Sequence, residues 1–340
     1  MKIEIRIGVV MAAVVVVLAM GVTALATGGP RDPDTTPPPD PAPAAPGETS
    51  SVPAASTAAG EGFVASPLDV NGQVKEAAAR FVQRVGTWSA PGPADTTSRV
   101  VDAGYAPEMA ATAAPLLDMP AQEANTTIVY PQYGGLTDTA ASVMVLARQQ
   151  LRTDGGERTR EILLDVRLRP EPGGWEVTPV VDPPRPEYAP ARAGGPTDLG
   201  RAVLDNPLIR IPEPGRADMI ERRVNDPILA VLDVLARTYD LDVHVVVSGH
   251  PGTVFPTTRL SNHTVGRAVD IRAIDGRPVV EIPREDPVIA EFMAAAGQAG
   301  ATEVGGPIVP AGTGFFTDDV HQDHFHLGIT PTKPPAAAAP

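Results

Sequence analysis

Two stretches rich in proline, glycine and alanine, residues 28–64 and 184–200, divide this 340-residue chain into lengths that must build their own cores. The first contains Pro37-Pro38-Pro39 and almost no large apolar side chains. Such a segment buries too little apolar surface to offset the entropy of ordering, and its prolines bias it towards extended, polyproline-like conformations. It reads as a spacer, and 184–200 reads as a linker. Between and after them lie 65–183 and 201–330, each of single-domain length. Residues 331–340 form a short tail.

Upstream of the spacer, Ile7 to Ala26 carries no charge and follows Lys2 and Arg6. The run is longer than the roughly 7–15 apolar residues of a signal peptide and close to the ~20 that span a bilayer. Ala24-Leu25-Ala26 also fits a cleavage site, so 1–27 reads as a signal peptide or a membrane anchor. The basic flank places everything after it outside the cytoplasm. The expected location is extracytoplasmic, membrane-anchored or secreted to the cell wall.

A net charge of −14 with no basic cluster excludes a nucleic-acid partner, because phosphate neutralisation needs Lys and Arg. Lysine occurs only at Lys2, Lys75 and Lys333. Cysteine is absent, which removes disulfides, thiolate metal sites and thiol nucleophiles together. Any bound metal must therefore sit on histidine and carboxylate.

The 65–183 unit shows helical periodicity over Val74–Trp88, with Ala77, Phe81 and Val85 on one face, and a second helical stretch between Val101 and Leu117. The period then shortens. Strands are expected at Thr126–Tyr130, Ala141–Leu151, Arg160–Arg169 and Trp175–Val181, with turns at Asp154-Gly155-Gly156 and Glu171-Pro172-Gly173-Gly174. Helices followed by an antiparallel meander define an α+β unit, and its pattern resembles the NTF2-like cone. It holds no histidine and no evident acid–base cluster, and it reads as a spacer or binding module.

In 201–330, a helical stretch runs from Ala217 to Tyr239 with a break near Pro227, and Pro287–Gly297 is a second helix. Strands are expected at Val243–Ser248, Ala268–Ala273 and His324–Ile329, with Asp275-Gly276 as a hairpin turn. All six histidines fall in this unit. Alternate residues of a strand share a face, so His324 and His326 point one way while Phe325 and Leu327 enter the core. Upstream stands Ser261-Asn262-His263-Thr264-Val265-Gly266-Arg267-Ala268-Val269-Asp270. Gly266 allows a tight turn between His263 and the strand that carries Asp270. A catalytic zinc takes three protein ligands and leaves one position open. His263, Asp270 and His326 supply the three, and His324 on the same face is placed to take a proton from activated water.

Ser-x-His-x-x-Gly-x-Ala-x-Asp followed by His-x-His resembles the signature of the zinc D-Ala-D-Ala metallopeptidases, whose superfamily includes murein endopeptidases and the hedgehog signalling domain. The resemblance covers about residues 217–329. It implies a hedgehog/DD-peptidase-like α+β zinc domain. In that domain His263, Asp270 and His326 are Zn2+ ligands, His324 is the base, His321 is a further catalytic histidine, and Ser261 has a supporting role. It also implies a peptidoglycan stem peptide as substrate. The family's Ser-Gly-Tyr-Arg, whose Arg grips substrate, is replaced by Ser248-Gly249-His250-Pro251. Arg259 is the candidate substitute, with His250 near the pocket. The alternative expectation is a non-catalytic zinc-containing module that binds cell wall or a partner. A serine triad from Ser261, His263 and Asp270 has little support, since no Gly-x-Ser-x-Gly elbow is present. His244 reads as an ordinary strand residue, and Asp318, Asp319 and Asp323 as a solvated acidic loop.

Overall fold

The pleat and the helical stripe sort the apolar residues of this chain into two cores, as seen in a computed structural model that describes residues 62–180 and 189–331. Helix α1 (Gly72–Val85) buries Val74, Ala78, Phe81, Val82 and Val85. Helix α2 (Thr96–Asp102) is capped by Asp95, whose side chain accepts from the Ser98 N–H. Helix α3 (Ala110–Leu117) follows a single 3-10 turn, so the helical stretch expected between Val101 and Leu117 is divided. Four antiparallel strands come next: β1 (Glu123–Leu136), β2 (Ala141–Thr153), β3 (Gly156–Glu171) and β4 (Gly174–Thr178), paired in chain order. Each of the first three is longer than its sequence pattern indicated. β1 continues through Pro131 because two bulges, between Ile128 and Tyr130 and between Tyr133 and Gly135, absorb the irregularity. Phe81, Val82, Ile128, Tyr133, Val145 and Leu164 join in the core between α1 and this sheet.

The second unit begins earlier than its composition suggested. Ala189 is buried and accepts a hydrogen bond from the Arg223 guanidinium, and α4 (Asp198–Asp205) starts within the stretch expected as linker. Strand β5 (Ile209–Arg210) precedes α5 (Glu213–Ile220) and α6 (Asp226–Leu235). The helix expected over 217–239 is thus two helices, and Pro227 lies in the first turn of α6, where its missing N–H costs nothing. The remaining elements are β6 (Leu241–Val245), β7 (Ala268–Ile274), β8 (Arg277–Pro278), α7 (Pro287–Gln298), β9 (Glu303–Gly305), β10 (Phe315–Phe316) and β11 (Phe325–Gly328). The sheet order is β10-β9-β11-β7-β6-β5, with β8 hairpinned onto β7. Leu232, Val269, Ile271, Phe292, Phe325 and Leu327 fill the core between this sheet and the helices.

β7 is buried on both faces. One face packs on the helices, and the other is covered by the first unit. Val129, Met144, Leu146 and Leu163 of the first sheet join Val245 of the second in a shared apolar cluster. The described residues belong to one compact unit. The fold is α+β. Among the described residues no helix is long and apolar enough to cross a membrane. The apolar run before residue 27, most of the 28–64 spacer and most of the 331–340 tail lie outside the described residues.

Candidate metal site

Three chain segments converge on one point. Antiparallel pairing sets His326 of β11 directly opposite Asp270 of β7, so their side chains leave the sheet as cross-strand neighbours. His263 arrives on a single 3-10 turn that Gly266 closes at φ +69°. A Cβ on Gly266 would lie 2.0 Å from the Arg223 carbonyl oxygen, so the turn can pass this point only with glycine. The Ser261 hydroxyl accepts the His263 N–H at 3.2 Å and shapes the same turn.

Asp270 Oδ1 lies 3.1 Å from His263 Nε2 and 3.0 Å from His326 Nδ1, and the two nitrogens are 3.2 Å apart. Bonds of about 2.0–2.1 Å to a tetrahedral zinc imply ligand-to-ligand separations of about 3.3 Å. The observed triangle fits one ion with shifts of a few tenths of an ångström. His263 Nδ1 meets the Val246 carbonyl at 2.7 Å. A carbonyl only accepts, so Nδ1 carries a proton and Nε2 is the nitrogen that faces the site, where its lone pair would be available to a metal. His263 and Asp270 are buried, and His326 is nearly so.

His250 offers a second arrangement. Its donor atom, with those of His263 and Asp270, forms a group within 4.8 Å that could hold a metal ion. Its ring stacks on His263 with centroids 3.9 Å apart, and its Nδ1 lies 2.7 Å from the Pro251 carbonyl. Burial, with the His263 imidazole beside it, holds His250 well below its usual pKa and therefore neutral. The tighter His263–Asp270–His326 triangle is the better match to metal bond lengths, and His250 stands at its edge.

Charge in the site is set by these contacts. Burial opposes ionisation of Asp270, but the imidazoles of His263 and His324 and hydrogen bonds from His263 and His326 outweigh it and hold the carboxyl well below its usual range. Burial also opposes charging of His326, yet Asp270 and Glu303 push it up to about 9. His326 thus donates a proton to Asp270 across the 3.0 Å edge of the triangle.

His324 sits just before β11 and is buried. Its Nε2 is 3.7 Å from Asp270 Oδ2, and its Nδ1 is 2.6 Å from Asp323 Oδ1. Burial opposes ionisation of Asp323, but Lys75 and His324 hold it down at about 2. An ionised carboxylate only accepts, so His324 Nδ1 carries a proton, and Nε2 is the nitrogen turned towards Asp270. Asp323 is therefore not the solvated loop residue its acidic surroundings indicated: it is buried, and the ammonium of Lys75 lies 2.6 Å from its Oδ2.

Asp270, His324 and His326 open onto a cleft of about 470 Å³ whose lining includes Tyr133, Arg259, Phe316 and His321, while His263 is itself fully buried. His321 Nδ1 pairs with Asp318 at 2.6 Å, and its ring stands 5.0 Å from that of His324. Arg259 is exposed, and its guanidinium makes no hydrogen bond or ion pair among the described residues. Ser261 lines the cleft, although its hydroxyl is engaged by the His263 N–H.

Several contributors escaped sequence reasoning. Glu303 Oε2 lies 3.9 Å from His326 Nε2 and accepts from Asn262 Nδ2 at 2.8 Å. Gln132, Tyr130 and Tyr133 reach in from β1: Gln132 Nε2 donates to Asp270 Oδ2 at 2.7 Å, the Tyr130 hydroxyl to the Asp323 carbonyl at 2.7 Å, and the Tyr133 N–H to Asp323 Oδ2 at 3.1 Å. His244 is a buried strand residue whose Nε2 meets the Met144 carbonyl of the first unit at 3.0 Å. The first unit is accordingly more than a spacer: it forms a wall of the cleft. One signal of this was present in the sequence. Lys75 falls on the apolar stripe of α1 with Ala78, Ala79 and Val82, at i, i+3, i+4 and i+7. Comparison with family models, curated proteins and solved structures returns no match for the chain.

Proposed function

We propose that this protein is an exported zinc peptidase that hydrolyses peptide bonds in peptidoglycan stem peptides. The observation that carries the reading is the triangle of His263 Nε2, Asp270 Oδ1 and His326 Nδ1, at 3.0–3.2 Å, with Nε2 of His324 3.7 Å from Asp270 Oδ2 in the same cleft. The donor set suits zinc, which takes imidazole and carboxylate ligands without any redox chemistry. When bound, zinc supplies Lewis acidity at neutral pH, activating water and polarising a carbonyl.

The chain's own residues do the rest. His324 Nε2 accepts a proton from the attacking water while Asp323 holds the ring and its opposite proton in place. The water oxygen bonds to the peptide carbonyl carbon, the C–N bond breaks, and His324 returns the proton to the departing amine. Arg259 offers its free guanidinium to a substrate carboxylate. Phe316 and Tyr133 line the walls around the reacting centre. The uncharged run before residue 27 supports export to the cell wall. The α1-on-meander layout supports an NTF2-like first unit, and the mixed sheet carrying Asp270 and His326 supports a hedgehog/DD-peptidase-like second one. Treating purified protein and muropeptides with a chelator tests the activity: hydrolysis should stop and return with zinc, and hydrolysis indifferent to metal removal refutes it.

A second reading rests on His250. Recruited as a fourth protein ligand, it would close the coordination sphere, as in structural zinc sites, and leave a zinc-containing module that binds cell wall or a partner. His324→Ala separates the two. A peptidase loses turnover and keeps its metal, whereas a closed module retains its binding function.

A further inference from the structure

Gln132 is fully buried on β1, in the unit that carries none of the histidines. Its direction is set by the bulge between Ile128 and Tyr130. Ile128 faces the core of the first unit. In a regular strand Tyr130 and Gln132 would follow it inward, since alternate residues share a face. The extra residue at the bulge turns both towards the second unit. Tyr130 then reaches Asp323, and Gln132 reaches Asp270. Tyr133 returns to the first core.

Asp270 has two oxygens, and only Oδ1 belongs to the donor triangle. Oδ2 takes the Gln132 amide at 2.7 Å. The amide orientation follows from the chemistry, since an ionised carboxylate accepts and only Nε2 donates. With Oδ2 occupied, the carboxylate cannot rotate about its terminal torsion without losing a charge-assisted hydrogen bond. Gln132 Oε1 is buried and has no hydrogen-bond partner among the described residues. An orphaned buried acceptor is destabilising. A side chain placed for packing alone would not leave one.

We propose that Gln132 is a positioning residue for the metal site: it clamps Asp270 Oδ2 so that Oδ1 alone is presented to the ion, which makes the first α+β unit a working part of the centre in the second. This rests on the reading of His263, Asp270 and His326 as metal ligands.

The experiment uses the full chain and zinc as the probe. Zinc affinity is measured by competition with a chromophoric chelator, and thermal unfolding of the metal-free protein is followed in parallel, for the unaltered chain and for Gln132→Met. Methionine matches glutamine in length but neither donates to Asp270 nor leaves an orphaned carbonyl. The expected result is a pair of opposite changes. Zinc binding weakens roughly 10- to 100-fold, as for other residues that orient a metal ligand, while the metal-free melting temperature holds or rises. Zinc affinity within twofold of the unaltered chain overturns the proposal. So does a loss of affinity accompanied by an equal loss of metal-free stability, which would mark general loosening. If Gln132→Met does not fold, Gln132→Asn gives the same comparison with the amide drawn back by one methylene.

Hydrolysis of muropeptides by the unaltered chain is read alongside. Zinc uptake without hydrolysis sinks the peptidase reading and leaves the role of Gln132 to stand on affinity. Metal-dependent hydrolysis with unchanged affinity in Gln132→Met sinks the positioning role alone. An unaltered chain that takes up no zinc overturns both.

Discussion

The ammonium of Lys75 lies 2.6 Å from Asp323 Oδ2, and both side chains are almost completely shut off from water. The same ammonium contacts Asp69, so one cation of the first unit is shared between two buried carboxylates. One of them orients His324. The contact joins α1 to the loop entering β11, and it makes the state of the site depend on the docking of the first unit.

Lys75→Met should therefore be far more damaging than an exposed charge change. It leaves Asp69 and Asp323 facing each other without a counter-ion, a change that costs about 3–5 kcal/mol when one member of a buried pair is removed. Denaturant unfolding of the full chain measures it. A loss under about 1 kcal/mol, the range of exposed pairs, would show that the ammonium does not hold the interface.

The pH dependence of metal-free stability has a definite sign. His326 titrates near 9 in the folded protein against an ordinary 6.5. A raised folded value contributes stability that is fully present below 6.5 and is lost as pH rises through about 9. Melting temperature in excess chelator should fall across that window. Zinc affinity should rise over the same range, because binding displaces the His326 proton. A melting temperature flat from pH 6.5 to 9.5 would contradict the pairing of His326 with Asp270 and Glu303.

At the acid limit the sign reverses. Asp323 is held at about 2 against an ordinary 3.8. Its contribution is complete above 3.8 and disappears as pH falls through about 2. Asp323→Asn should flatten this part of the acid unfolding curve, and an unchanged curve would assign acid sensitivity to other carboxylates.

Zinc at a hundredfold excess over its dissociation constant should stabilise the full chain by about 2.7 kcal/mol. His263→Ala, Asp270→Ala and His326→Ala should each abolish that increment. His324→Ala should keep it while lowering turnover by roughly 10²–10⁴-fold, the span of general acid–base catalysis. Calorimetry with and without zinc reads the first effect, and muropeptide cleavage the second.

Gly266→Ala tests the turn that brings His263 to the site. A Cβ there collides with the Arg223 carbonyl, and the backbone lies at positive φ. The substitution should cost about 1–3 kcal/mol, as expected of a non-glycine residue held in a strained conformation. It should also weaken zinc binding. Wild-type stability in this variant would mean that the 263–266 turn can shift without loss.

The individual elements were largely legible in the sequence. Helical spacing in 74–85 and the alternation around Ala268–Ala273 mark local structure, because burial of one face imposes a period on the residues themselves. The order His263, Gly266, Asp270, His324 and His326 marked the metal candidates for a similarly local reason. A turn glycine, a strand carboxylate and two histidines at spacing two can be read without knowing the fold. Strand ends depart from the sequence pattern where Pro131 and the β1 bulges break the period, and Pro227 marks the first turn of a separate helix, α6.

What pattern could not supply was every contact made across the two units. Gln132, Tyr130 and Lys75 lie more than a hundred residues from Asp270 and Asp323, and no periodicity links them. A one-residue bulge decides which way Gln132 points, and the docking of two sheets through Val129, Met144, Leu163 and Val245 decides what it meets. The chain's own order marked His263, Asp270 and His326 as metal candidates, because side-chain chemistry and short-range spacing are written locally, whereas only the tertiary structure set His250 beside two of them. Only tertiary structure determined how those ligands are oriented and charged, because a carboxylate's partners and its access to water depend on whatever long-range packing places beside it.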